Sequence, residues 1–128
     1  MIHTDMIRID VTKQSTEELA LANEQAQLIF TFNHTMPSTA EYVELMHRIF
    51  PEMGEGSRVS SPLTAIRPHM VKIGKNVIVM PGCLMMSAGG ITIDDGAMIA
   101  ANVQLISNNH DVYERPIITC EPVHIGKN

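Results

Sequence analysis

From about Gly54 onward, aliphatic residues recur at six-residue intervals, separated by small, polar and glycine residues, and helical periodicity is absent. The cleanest run reads Ile73-Gly74-Lys75-Asn76-Val77-Ile78, then Val79-Met80-Pro81-Gly82-Cys83-Leu84, then Met85. After Gly89-Gly90 the rhythm restarts with Ile93-Asp94-Asp95-Gly96-Ala97-Met98, Ile99-Ala100-Ala101-Asn102-Val103-Gln104 and Leu105. A last unit opens at Val123-His124-Ile125-Gly126-Lys127-Asn128. This spacing suits a parallel β-helix of triangular section, in which each hexapeptide makes one flat side and three sides make a coil of about eighteen residues. The aliphatic residue points inward and stacks on its equivalents in neighbouring coils. The small or valyl residue four places later turns inward near a corner. Gly74, Asn76, Gly82 and Asn102 are expected at corners, where their backbones tolerate the required angles. Coils of this repeat class wind left-handed, against the usual right-handed crossover. An antiparallel β-sandwich with six-residue strands is the competing reading, disfavoured by several units in register and by the resumption after an interruption.

The N-terminal part reads as two helices. Ser15 and Glu18 form a capping box ahead of an apolar stripe at Leu19, Ala22, Ala26, Ile29 and Phe30. Phe32-Asn33-His34-Thr35-Met36-Pro37 breaks the pattern. A second helix is expected from Ser38, with Glu41 three positions on, a stripe of Tyr42, Leu45, Met46, Ile49 and Phe50, and a stop at Pro51. Two one-sided helices need a surface to cover. The expected organisation is therefore a helical cap over residues 1–53 and a mainly β, left-handed β-helix over 54–128, with an excursion loop at about 111–122.

The 128-residue length suits one domain, and 45% hydrophobic with 18% charged residues indicates an ordered chain. A net charge of −5 offers no footprint for nucleic acid. Ten methionines against no tryptophan imply a core of aliphatic and thioether side chains. Cys83 and Cys120 lie far apart outside any CxxC pattern, which reads as two reduced structural cysteines. Residues 1–10 hold no signal-like apolar stretch and no run has the length of a membrane span, so a cytoplasmic protein is expected.

The chain resembles the galactoside and maltose O-acetyltransferase family of hexapeptide-repeat enzymes. The likeness runs through Phe32-Asn33-His34-Thr35 with Pro37-Ser38, through Ile91 to Gly96 and Ile99 to Leu105, to Asn109-His110, and resumes at Pro122 to Gly126. The resemblance implies acetyl transfer from acetyl-CoA to a hydroxyl of a sugar or similar acceptor, directly and without an acyl-enzyme. It places the catalytic base on His110. Neutral imidazole suits removal of a hydroxyl proton during attack on a thioester. Asn109, Asp111, Met80 and Arg115 are the accompanying candidates for acceptor contact, and His34 is assigned no chemistry. The resemblance also implies a homotrimer with active sites between subunits, and no metal.

Two departures stand out. Where the family carries an asparagine and an aspartate against the sugar, this chain has Met80 and Ala88, which makes that wall more apolar. The family also continues for several coils that build much of the acetyl-CoA groove, whereas this sequence ends at Asn128, so truncation is expected. The alternative is a catalytically inactive trimeric scaffold or a fragment lacking the groove. A zinc enzyme of the β-helix carbonic anhydrase type would need two histidines close together on one coil side and a third nearby. His69, His110 and His124 show no such pair.

Overall fold

The computed structural model of the protein describes residues 7–110, 117–120 and 122–127, with the backbone alone at 7–9, 11, 109–110 and 117–120. Strand β1 (Ile7–Asp10) leads through a 3-10 turn into helix α1 (Thr16–Asn33), and α2 (Ala40–Ile49) follows. The capping box at Ser15 is present, with both reciprocal bonds formed to Glu18. The second helix is capped one residue later than expected. Ser38 sits at φ 68, outside the extended backbone an N-cap needs, and Thr39 takes the Tyr42 N–H instead.

Helix α1 turns a different face inward from the stripe read in the sequence. Its buried residues are Gln25, Ile29 and Phe32, while Leu19 and Phe30 are 55% and 65% exposed. The reason is tertiary. Phe32 stacks on Tyr42 of α2, and the Asn33 amide grips both backbone polar groups of Leu63, at 2.8 and 2.9 Å. Those anchors set the helix's rotation, so a contiguous apolar stripe faces outward. Asn33 thus explains the connector segment: it pins the helical cap to the first coil.

The coils then follow in three parallel sheets. Side 1 stacks β2 (Arg58–Val59), β5 (Ile78–Val79) and β8 (Met98–Ile99). Side 2 stacks β3 (Thr64–Ile66), β6 (Leu84–Met86) and β9 (Gln104–Ile106). Side 3 stacks β4 (Val71–Ile73), β7 (Ile91–Ile93) and β12 (Val123–Ile125). The inward positions named from the six-residue rhythm are buried: Ile73, Val79, Met85, Ile93, Ile99 and Leu105 are all at or below 6% exposure. The small positions Val77, Cys83 and Ala97 are buried beside them. Each fully buried Val, Ile or Met side chain contributes about 1.5–3 kcal/mol. Helices and coils share one hydrophobic core, joined through Phe32, Phe50 and Leu63.

The coil is longer than the expected eighteen residues. Val59, Val79 and Ile99 are partners 20 residues apart, as are Val71 and Ile91. The excess sits at one corner. Ile73 to Val79 and Val79 to Met85 are six-residue steps, but Met85 to Ile93 takes eight before the chain regains side 3. In the next coil that step widens further, since Ile93 pairs with Ile125, 32 residues on.

The two ordinary corners turn through left-handed residues. Gly56, Asn76 and Gly96 do so between sides 3 and 1, and Gly82 and Asn102 between sides 1 and 2. Gly74 does not belong to this set. Its backbone is ordinary, and glycine is required there because a Cβ would lie 2.7 Å from the Asp95 nitrogen.

Candidate active site

The wide corner, between sides 2 and 3, is built differently at each level. In the first coil Arg67, at φ 53, leads into a 3-10 turn, Pro68–Met70. In the second, Ser87 to Gly90 makes the turn, with Gly90 at φ 89. In the third, the chain leaves the prism as an antiparallel hairpin, β10 (Asn108–His110) and β11 (Ile117–Cys120), with β1 paired on the outer edge of β11. A conventional sheet is thus attached to the β-helix at the one corner where the repeat fails.

His110 ends β10, its backbone opposite Ile118, with Asn109 opposite Thr119. Their side chains, and the whole of Asp111 and Arg115, lie outside the described residues. Met80 lies elsewhere. It follows β5 at the corner between sides 1 and 2, so within one chain the whole of side 2 separates it from the hairpin. The fold keeps Asn109 with His110 and does not bring Met80 to them.

Several residues of the wide corner carry no signal in the sequence. Ser107 closes it across coils, donating to the Met86 carbonyl at 2.6 Å and accepting from the Gly89 N–H at 2.8 Å. Helix α1 is tied to the first-coil turn by a Gln25–His69 hydrogen bond of 2.7 Å and an Arg67–Glu18 ion pair of 3.2 Å. Burial, and then the charge of Arg67, push the His69 imidazole below its ordinary pKa. These pairs span 44 and 49 residues, and neither partner belongs to a repeat or stripe that spacing could have exposed. Among the described residues, the two buried side-chain oxygens without a hydrogen-bond partner are Ser87 Oγ and Asn108 Oδ1. Both belong to this corner. Buried polar atoms are nearly always paired, so each exception calls for a physical reason such as strain, a bound water or a catalytic role.

Cys83 points into the core as a free thiol, and burial raises its pKa to about 11, which makes it an inert structural residue. Among the described residues, no group of three His, Cys, Asp or Glu side chains is placed to hold a metal ion. No helix among them is long and apolar enough to cross a membrane.

No family model matches the chain. A Staphylococcus aureus (strain Mu50) protein named as a candidate acetyltransferase is 33% identical over 120 residues, covering 84% of this chain and 58% of its own length. The galactoside O-acetyltransferase of Escherichia coli K12 is 30% identical over 106 residues, covering 79% of this chain and 52% of itself. The chain therefore spans a little over half the length of these relatives. Among solved structures, a hexapeptide-repeat acetyltransferase of Vibrio cholerae superposes with a TM-score of 0.78 at 25% identity, over 86% of this chain and 64% of its own. That protein has also been solved with acetyl-CoA. The fold is the left-handed parallel β-helix expected from the repeat. In sequence and in fold alike, the chain is a relative of the hexapeptide-repeat acetyltransferases.

Proposed function

We propose that the chain is the portion of an O-acetyltransferase that carries its catalytic base, moving acetyl from acetyl-CoA to a hydroxyl of a sugar or similar acceptor. One observation carries the reading: the six-residue rhythm from Ile93 through Ile99 to Leu105 leads into Asn108–His110 and is abandoned there for a hairpin, in a chain whose relatives carry acetyltransferase names. The partnerless Ser87 and Asn108 oxygens at the same corner support it.

In this reading His110 takes the proton of the acceptor hydroxyl as its oxygen attacks the thioester carbonyl. The tetrahedral intermediate collapses, the C–S bond breaks, and the proton passes to the departing thiolate of coenzyme A. On the same reading Asn109 and Asp111, next to the base in sequence, and Arg115, five residues on, contact the acceptor. Within one chain side 2 separates Met80 from His110, so in this reading Met80 serves an acceptor held by a second copy, and the family resemblance makes that assembly a homotrimer with sites between subunits. The outer face of side 1 favours such packing, since Met98 is 66% and Met80 39% exposed. Cytoplasmic residence goes with the acetyl-CoA supply.

The purified protein is incubated with acetyl-CoA and a panel of hydroxyl acceptors, and the product read by mass spectrometry, beside His110→Ala. Product from the wild type and none from the variant supports the transfer and its base. An equal yield from both removes His110 from the chemistry. No product from either favours the second reading, an inactive scaffold. That reading draws on the apolar Met80 and Ala88, which stand where the family carries polar sugar contacts.

A further inference from the structure

The hairpin that carries His110 belongs to none of the three coil sheets. Its own sheet runs β1–β11–β10, so without β1 it would be two strands standing off the corner. An isolated two-stranded hairpin is at best marginally stable in water, and a third strand is the usual remedy. The register aligns that third strand with the base. Ile9 stands opposite Ile118, and Ile118 opposite His110, so the three backbones share one row. Asp10 reaches one row further out, opposite Ile117.

Strand β1 is in turn fastened to the first coil of the same corner. Asp10 caps the 3-10 turn Val11–Lys13, accepting the Thr12 N–H at 2.9 Å and the Thr12 hydroxyl at 2.6 Å. Ser15 caps α1, so Gln14 alone separates two capped elements. Helix α1 is then tied to the first-coil turn through Glu18–Arg67 and Gln25–His69. One short run of chain, residues 7–25, therefore links the turn of the first coil to the hairpin of the third.

We propose that Ile7–Asp10 is a positioning strand for the reaction: its ladder to β11 fixes the hairpin, and with it the base, against the coils. The role in catalysis rests on the assignment of the base to His110. A displacement of about 1 Å at a reacting group can cost on the order of 10²-fold in rate, so a loosened hairpin is felt in the chemistry before it is felt in the fold.

The test uses proline as a backbone probe. Along an edge strand, successive N–H groups point alternately toward the neighbouring strand and away from it. Of Arg8 and Ile9, one therefore donates to the ladder and the other does not. Arg8→Pro and Ile9→Pro are compared with Arg8→Ala and Ile9→Ala, which lose the same side chains and keep both N–H groups. Hydrogen exchange is followed at the amides of Asn108–His110 and Ile117–Cys120, beside those of β6 and β7 in the coils. Acetyl transfer is measured in the same proteins. One proline variant, and not the other, should speed exchange in the hairpin by about tenfold or more over its alanine counterpart, with the coil amides unchanged. The same variant should lower kcat by about 10–100-fold and leave KM for acetyl-CoA as it was. Equal exchange in the two proline variants, or coils that loosen as much as the hairpin, would overturn the proposal. So would faster hairpin exchange with full kcat. An inactive wild type would count against the base on His110 instead, and the exchange measurement would still decide whether β1 holds the hairpin.

Discussion

The prism has two kinds of corner, and they do opposite things. Where side 3 meets side 1, and where side 1 meets side 2 in the second and third coils, each coil repeats the one below, with left-handed glycines and asparagines stacked in columns. The Asn76 side chain sits where a Cβ on Gly56 would go, and Asn102 sits likewise over Gly82. These corners are tight enough that neighbouring coils dictate each other's residues. Where side 2 meets side 3, no level resembles the next: a 3-10 turn, a glycine turn and a hairpin succeed one another. A Cβ on Gly90 would come no nearer than 3.9 Å to Met70. The ordinary corners resist change because their turns are bonded to the coil below, as Asn76 is to Glu55, Gly96 to Lys75 and Asn102 to Pro81 through backbone N–H groups. The wide corner has room, and room is what a binding loop, a base and a substrate require.

The comparison can be broken in graded steps. The largest expected effect is chemical. His110→Ala should lower acetyl transfer by about 10²–10⁴-fold while leaving the urea midpoint where it was. A matching loss of stability would mean that the wide corner is structural after all.

Next comes Gly74→Ala. It forces a methyl against backbone atoms of Asp94 and Asp95, at 3.0 and 2.7 Å. A loss of about 3 kcal/mol is expected in chemical denaturation. Gly90→Ala, at the wide corner, meets no such wall and suffers only the strain of φ 89, about 1–2 kcal/mol. If the two glycines cost the same, the distinction between the corners fails.

The smallest effect is pH-dependent. His69 is held below its ordinary pKa by burial and by Arg67, so the unfolded chain binds its proton more readily than the folded one. Stability should therefore fall as pH drops through the ordinary histidine value of about 6.5 toward the lower folded value. In His69→Gln the difference in unfolding free energy between about pH 7.5 and about pH 5.5 should shrink. An unchanged difference would show that the tie between α1 and the first-coil turn carries no linkage.

What could be read in the chain differed by region for physical reasons. The inward ladder from Ile73 to Leu105 was legible because a repeated side must present the same inward residue at every level. The Ser15–Glu18 box was legible because its four residues contain the whole interaction. The coil length was misjudged because two extra residues at one corner leave the six-residue rhythm intact within each run. The buried face of α1 was misjudged for another reason. Asn33 and Phe32 decide the helix's rotation through Leu63 and Tyr42, and no periodicity within α1 records them. At the candidate site, His110 was singled out by the family resemblance at Asn109-His110, which the repeat spacing alone would not have supplied. The Gln25–His69 and Glu18–Arg67 ties were missed because their partners lie on elements brought together by packing alone.

The sequence by itself determined that this protein is a prism of stacked coils, which residues fill it, and where the stacking stops. A repeat specifies its own neighbours, so pattern is enough. Only the tertiary structure decided that the interruption becomes a hairpin completed by Ile7–Asp10 from the other end of the chain. It alone set Met80 on a different edge from His110. Each of those depends on surfaces meeting in space between segments that share no period, and such meetings are settled by shape and burial rather than by order along the chain.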